Sequence, residues 1–220
     1  MSVRPETQAD FREGVKSVSP KEIFLIRHAE AVYDPKIPDA RRPLSVRGLS
    51  QAAELVEQVE RLGIEEIHTS PYERCLCTIA PLADKLGLHP NVVHDLRERV
   101  FTDGHIQDWA ATWRTAWMDP DFAFDDGESG RRAQARMHEA MIRLVTASPA
   151  KKLAVSSHGN VIALLLQQID SSFSFEHACS IRNPDVFRIM FDGVSLSWDG
   201  EFDVAGLRSF ATTFQARSTE

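Results

Sequence analysis

The chain has 220 residues, a length typical of one domain, and 43% of them are hydrophobic and 26% charged, as in ordinary globular proteins. Its formal net charge of −7 argues against non-specific nucleic-acid binding, which needs a basic surface. No segment approaches the ~18 to 20 apolar residues of a membrane-spanning helix, and the polar N-terminus does not resemble a signal peptide. We therefore expect a cytoplasmic protein without nucleic-acid or membrane partners.

The three cysteines are an odd number. Cys75 and Cys77 are too close in sequence for a usual disulfide and lack the second pair that a zinc site needs. We expect all three to be reduced thiols with structural roles.

The first third of the chain predicts a leader, a strand and a helix in that order. Residues 1–20 are polar and punctuated by prolines, which predicts a loosely ordered leader. The apolar run at about 22–27 is typical of a strand buried on both faces, and a proline-containing loop follows from Glu30 to Pro43. A helix is expected from the N-cap Ser45 to Leu62, before Gly63. Its predicted buried stripe consists of Leu49, Ala52, Val56, Val59 and Leu62.

The following residues continue the alternation of strands and helices. Strands are expected at 65–70, 91–96 and 152–157, helices at 71–86, from Ser129 onward and at 161–168, and a hairpin around Asp192-Gly193. Residues 99–128 break the pattern and predict an insertion with one helix. Alternating strands and helices imply parallel strands with right-handed crossovers. The predicted fold is a three-layer α/β/α sandwich with a mostly parallel central sheet, in one domain over residues 21–220.

Two of the predicted strands end in a histidine. Arg27 and His28 end the first strand, and His158 and Gly159 follow the strand at 152–157. Because the carboxyl ends of parallel strands meet at one edge of a sheet, we expect the two histidines to lie together there. The alternative is that these polar residues only form salt bridges at the sheet edge.

Two further charged residues are expected at the same edge. Arg74 lies in the first turn of the helix that follows Thr69-Ser70-Pro71, and Glu98 follows the strand at 91–96. Histidines, arginines and a carboxylate together are typical of phosphoryl transfer through histidine. A neutral imidazole is the nucleophile, arginines bind the phosphoryl oxygens, and the carboxyl group exchanges protons. For Glu98 a surface carboxylate between two arginines is the alternative.

Six blocks of the sequence occur in a characteristic order. They are residues 27–30 (RHAE), 44–52 (LSVRGLSQA), 69–79 (TSPYERCLCTI), 96–98 (LRE), 127–129 (GES) and 157–162 (SHGNVI). Together they resemble the signature blocks of the histidine phosphatase superfamily, also called phosphoglycerate-mutase-like, over most of the chain from Ile23 to about Gly193. Features of both the phosphatase branch and the mutase-like branch are present, and the phosphatase branch is favoured.

The resemblance implies a role for each residue of the site. His28 would be the phosphorylated nucleophile, Glu98 the proton donor, and His158 a third catalytic residue. The phosphate pocket would consist of Arg27, Arg74, His158 and Gly159. No metal and no organic cofactor is expected. The implied enzyme is a metal-independent phosphoric monoester hydrolase of the histidine acid phosphatase type, acting on a phosphorylated small molecule or phosphoprotein. A homodimer is one option for its assembly.

Two positions depart from the family pattern. Ala29 replaces the usual glycine, and Asp34 stands where many members carry an asparagine that contacts phosphate. We take Asp34, Trp109 and Trp113 as candidates for substrate specificity. The tryptophans, together with Trp117, would form either part of the core or a lid over the pocket. A phosphoglycerate-type mutase and a non-catalytic phospho-ligand-binding module on the same fold are the alternatives to a phosphatase.

Overall fold

The computed structural model describes residues 20–204 and 207–208, so the predicted leader lies outside the described residues except for Pro20. The strands are β1 (Lys21–Arg27), β2 (Glu66–Thr69), β3 (Asn91–Val92), β4 (Lys152–Ser157), β5 (Asp185–Phe191), β6 (Leu196–Asp199), β7 (Asp203–Val204) and β8 (Leu207–Arg208). The helices are α1 (Val46–Val59), α2 (Glu73–Leu86), α3 (Trp109–Met118), α4 (Gly130–Ala147), α5 (Gly159–Ile169) and α6 (Phe175–Ser180). Short 3-10 turns cover Asp39–Arg41, Glu60–Leu62 and His94–Leu96. Within the described residues, no helix combines the length and the apolar character needed to span a membrane.

Six strands form one mixed sheet in the order β3-β2-β4-β1-β5-β6. The pairs β1–β4, β4–β2 and β2–β3 are parallel, whereas β5 and β6 are antiparallel additions at one side. In the central pair, Arg27 at the end of β1 is aligned with Ser157 at the end of β4. The predicted α/β/α fold with a mostly parallel sheet is confirmed, and so is the hairpin of β5 and β6.

Helices cover both faces of this sheet, and β1 lies between them. Ile23 and Leu25 point into a core formed with α4 and α5, whereas Phe24 and Ile26 point into a second core formed with α1 and α2. Successive side chains of a strand point to opposite faces, so a strand covered on both sides needs apolar residues at every position. This explains why the run from Ile23 to Ile26 is continuously apolar.

The ends of α1 agree with the prediction, but part of its buried stripe was wrong. The Ser45 hydroxyl accepts the Gly48 N–H at 2.9 Å, and Gly63 adopts a left-handed φ of 76° after the last turn. Leu49 is 58% exposed, whereas Leu55, which was not in the predicted stripe, is buried.

Two other predictions of local structure were wrong. The strand expected at 91–96 ends at Val92, and its second half forms a 3-10 turn that buries Leu96. There the Leu96 carbonyl accepts the hydroxyl of Ser157. Helix α6 was not predicted, because six residues are too few to show a helical period in the sequence.

The segment over residues 99–128 contains α3 and the loops on both sides of it. Trp113 and Trp117 pack against the core beneath α4 and α5, and both contact Phe175. Trp109 is 53% exposed and lies edge-on to Phe101, with ring centroids 4.9 Å apart. Of the three tryptophans, Trp113 and Trp117 therefore pack against the core, whereas Trp109 is exposed.

Gly48 allows the loop after β1 to lie directly against α1. A Cβ atom at this position would lie 2.0 Å from the Glu30 carbonyl oxygen. Alanine has a better helix propensity than glycine, but its Cβ would clash with the Glu30 carbonyl. We therefore expect Gly48→Ala to lower the free energy of unfolding, measured by urea denaturation, by about 2 kcal/mol. The control Gly200→Ala places a Cβ no closer than 3.6 Å to its nearest neighbour. It should change stability by less than about 0.5 kcal/mol, and equal losses in both variants would contradict the steric argument.

Candidate active site

The parallel pairing of β1 and β4 brings His28 and His158 together at the carboxyl edge of the sheet. The His28 N–H donates to the Ser157 carbonyl at 3.1 Å, which ties the two strand ends. The imidazole centroids lie 5.3 Å apart, and the residues are 8% and 0% exposed. The predicted meeting of the two histidines is therefore present.

Arg74 lies between the two imidazoles. Its Nε–H points at His28 Nε2 and at His158 Nδ1, and both distances are 3.2 Å. The side chain comes from the first turn of α2 and is almost completely buried. One N–H thus lies within hydrogen-bond reach of both histidines, as expected of a cation that binds an anion placed between them.

His28 is held as a neutral imidazole with a lone pair on Nε2. Its Nδ1 lies 2.7 Å from the Ala29 carbonyl oxygen, which can only accept a hydrogen bond, so the ring proton is assigned to Nδ1. Burial first and the charge of Arg74 second lower the pKa of His28 to about 3. The backbone around it is fixed by Thr78, which accepts the Ala29 N–H, and by Asn183, which donates to the His28 carbonyl.

His158 is also neutral in this environment. Its Nε2 lies 2.7 Å from the Ser70 hydroxyl, while Nδ1 faces the Arg74 Nε–H. Burial, followed by the charge of Arg74, lowers the pKa of His158 well below its usual value. The protein's own groups therefore disfavour the doubly protonated form of His158. A negatively charged phosphoryl group would favour it.

Arg27 and Gly159 form the wall beside the histidines. Arg27 donates from one terminal nitrogen to the Ile181 carbonyl at 2.6 Å, while its Nε is buried without a hydrogen-bond partner in the described part of the chain. A Cβ on Gly159 would lie 2.9 Å from both Nε and Cζ of Arg27, so glycine makes room for this guanidinium. Burial lowers the pKa of Arg27, and the charges of Glu98 and Asp185 oppose this shift.

Glu98 sits at the N-terminus of α5. Its carboxylate accepts the backbone N–H groups of Arg99 at 2.8 Å and of Asn160 and Val161 at 3.1 Å each. Burial raises the pKa of Glu98 above its usual value, although these hydrogen bonds and the charge of Arg74 act in the opposite direction. The residue is therefore a carboxyl group that keeps its proton to a higher pH than an exposed glutamate.

The backbone that carries Glu98 is held by Arg136. This side chain donates to the Asp95 carbonyl at 2.6 Å and to the Arg97 carbonyl at 3.0 Å, and it forms a two-point ion pair with Glu128. Glu128 is the middle residue of the block at 127–129. The sequence indicated the block that contains Glu128, but it did not predict that Glu128 binds Arg136.

Asp39 is the residue of the site that the sequence reasoning missed. Its carboxylate oxygens accept from both terminal nitrogens of Arg74, at 3.3 and 3.1 Å, and its carbonyl accepts from one of them at 2.6 Å. Asp34, the acidic residue singled out from the sequence, instead accepts the Lys36 N–H within its own loop. No motif marks Asp39, which lies in an irregular loop 35 positions before its partner.

The remaining specificity candidates, Trp109 and Trp113, contact Phe101 and Phe175. Their effect on specificity stays a prediction. Over residues 20–204 and 207–208, no group of three or more histidine, cysteine, aspartate or glutamate residues is placed to hold a metal ion. The three cysteines are free thiols, and the buried Cys75 lies against His158.

A comparison with protein families matches residues 23–196 to the histidine phosphatase superfamily, branch 1. The chain belongs to the histidine phosphatase superfamily. One relative, the probable phosphoglycerate mutase GpmB of Cronobacter sakazakii, is 25% identical over 182 residues, which cover 76% of this chain and 84% of the relative.

Two solved structures of other proteins share the fold of this chain. The mycobacterial glucosyl-3-phosphoglycerate phosphatase superposes with a TM-score of 0.67 at 20% identity, over 82% of this chain and 96% of that one. The phosphoglycerate mutase of Bacillus anthracis superposes with a TM-score of 0.70 at 14% identity, over 83% and 93%. At these identities the superpositions establish the fold.

The two buried neutral histidines predict that this member of the histidine phosphatase superfamily loses stability in acid. In the unfolded chain each imidazole regains a pKa of about 6.5, so below that pH the unfolded state binds protons that the folded state excludes. Each histidine should therefore cost about 1.4 kcal/mol per pH unit below about 6.5, down to the pKa of about 3 for His28. The free energy of unfolding, measured by urea denaturation between pH 7 and pH 5, should fall less steeply with decreasing pH in His28→Asn than in the parent protein. The control His105→Asn, at an exposed histidine, should keep the original slope, and equal slopes in all three proteins would contradict this account.

Proposed function

We propose that this protein is a phosphatase that hydrolyses phosphomonoesters of a small molecule or phosphoprotein through a covalent phosphohistidine on His28. The observation that carries the proposal is the unprotonated Nε2 of a neutral, buried His28, placed 3.2 Å from the Arg74 guanidinium and beside His158. A neutral imidazole is a competent nucleophile toward phosphorus, and an adjacent guanidinium stabilises the charge that develops on the phosphoryl oxygens.

In the first step His28 Nε2 attacks phosphorus and the bond from phosphorus to the leaving oxygen breaks. The Arg74 guanidinium, whose Nε–H points at Nε2 and at His158, turns to the phosphoryl group and binds its oxygens through Nε–H and a terminal N–H. Arg27 and the Gly159 N–H bind the other oxygens, the latter at the N-terminus of α5. Protonated Glu98 gives its proton to the leaving oxygen, so the alcohol departs neutral.

In the second step a water molecule attacks the phosphohistidine. Glu98, now a carboxylate, takes a proton from this water as the new bond to phosphorus forms and the bond to Nε2 breaks. Inorganic phosphate leaves, and both His28 and Glu98 return to their starting protonation states. The raised pKa of Glu98 suits it to both halves of this cycle.

A phosphoglycerate-type mutase is the second candidate, and it is favoured by relatives that carry the name probable phosphoglycerate mutase. A mutase must return the phosphoryl group to a second hydroxyl instead of passing it to water. Transfer to added sugar acids in place of phosphate release would favour this candidate. A non-catalytic phospho-ligand-binding module ranks last, because His28 and Glu98 are both present.

The nucleophile is tested by His28→Ala on an aryl phosphate. The variant should lose at least about 10³-fold in kcat/KM, because no other group replaces the attacking nitrogen. The parent enzyme should keep its rate in a chelator and should form a phosphoenzyme that is labile in acid and stable in base. The control His105→Ala should be fully active. Full activity of His28→Ala, or a phosphoenzyme retained in it, would refute the mechanism.

The role of Glu98 is tested by varying the leaving group. Glu98→Gln should lower kcat/KM by about 10²- to 10⁴-fold for an alkyl phosphate, but by under about tenfold for an aryl phosphate whose oxygen leaves without a proton. Activity of the parent on the alkyl substrate should fall as pH rises through the raised pKa of Glu98, since only the protonated acid donates. The control is Glu139→Gln, at an exposed glutamate of α4. Equal losses on both substrates would count against an acid role.

A further inference from the structure

The arginine between the two histidines already binds an anionic group of the protein. Each of the three nitrogens of the Arg74 guanidinium has a partner: Nε faces the histidines, and both terminal nitrogens bind Asp39. A two-point contact between arginine and carboxylate has the same geometry as one between arginine and phosphate. Asp39 therefore uses donors that a phosphoryl group at His28 would use.

Asp39 has a second cationic partner on its outer side. Arg42 approaches the same carboxylate at 3.1 Å, and its guanidinium lies over the ring of Tyr33 at 4.7 Å. The Asp39 side chain is 43% exposed, whereas that of Arg74 is 6% exposed. The 3-10 turn Asp39–Arg41 thus places one carboxylate between a buried arginine of the pocket and an arginine at the surface.

We propose that Asp39 is an intramolecular competitor for Arg74, which a phosphoryl group displaces on binding and which returns when phosphate leaves. This inference rests on the proposed function, because it assumes that the phosphoryl group binds at Arg74. When displaced, the carboxylate keeps its ion pair with Arg42, so no uncompensated charge is left. A tethered group competes at an effective concentration of about millimolar, which is enough to weaken phosphate binding measurably.

Such a competitor serves hydrolysis in particular. A phosphatase must release inorganic phosphate in every cycle, and a carboxylate that replaces it on Arg74 lowers the affinity of this product. The alternative is that Asp39 only orients Arg74, in which case loss of this contact misplaces the guanidinium and weakens phosphate binding. The two roles predict opposite effects of removing the charge.

The test is isothermal titration of inorganic phosphate and of orthovanadate into the full-length protein at fixed pH and ionic strength. Asp39→Asn keeps the backbone contact to Arg74 and removes the competing charge, so it should bind both anions about 5- to 10-fold more tightly. Arg42→Ala removes the alternative partner of Asp39 and should weaken binding several-fold. When Asp39 is already replaced by Asn, adding Arg42→Ala should weaken anion binding no more than Arg41→Ala does. Arg41→Ala serves as the control because it removes one positive charge from a neighbouring exposed residue.

A second control separates competition from general charge. Asp125→Asn removes the same charge from an exposed residue in the loop between α3 and α4, and it should leave phosphate affinity unchanged. Unchanged or weaker binding by Asp39→Asn, or equal tightening by Asp125→Asn, would overturn the inference.

The proposed function and this inference fail in different ways. Tighter binding by Asp39→Asn in a protein without phosphatase activity would uphold competition at Arg74 and refute hydrolysis. Hydrolysis that depends on His28, with no tightening in Asp39→Asn, would uphold the function and refute competition. Absence of anion binding in every variant would refute both.

Discussion

The site depends on one buried guanidinium whose Nε–H lies 3.2 Å from nitrogens of two different histidines. This arrangement exists only because β1 and β4 are adjacent and parallel, so that residues 28 and 158 leave the sheet at the same height. Arg74 then approaches from the first turn of α2, which follows the neighbouring strand β2. Residues from three neighbouring strands and the helix that follows one of them therefore converge on one site.

The buried charge of Arg74 affects the protonation of the two neighbouring histidines. Both imidazoles have a lowered pKa because burial and the charge of Arg74 disfavour a further positive charge. The proposed nucleophilic role of His28 requires this neutral state. The Asp39 carboxylate forms an ion pair with Arg74 at 3.1 Å. The proposed binding of a phosphoryl group here is compatible with a chain whose formal net charge is −7, since the positive field of the arginines is local.

Much of the fold could be predicted because its elements have strong local signals. The continuous apolar run of β1 reflects its cover on both faces, and Ser45 and Gly63 bound the first helical segment by cap chemistry that the sequence displays directly. The errors arose where tertiary packing overrides local preference. Leu49 was expected inside and lies outside, the strand after Asn91 is cut short by a turn that buries Leu96, and α6 is too short to leave a period.

By itself the sequence determined that Arg27, His28, Arg74 and His158 end strands or begin helices, and hence that they gather at one edge of the sheet. It placed Glu98 there through a strand at 91–96 that in fact ends at Val92. It also identified the family, because the blocks that carry these residues keep their order. Only the tertiary structure decided the proton position on His28, the neutral state of His158 and the partner of Arg74. Proton positions depend on burial and on which acceptor lies within 3 Å. The contact of Asp39 with Arg74 depends on the path of an irregular loop, which no period or motif records.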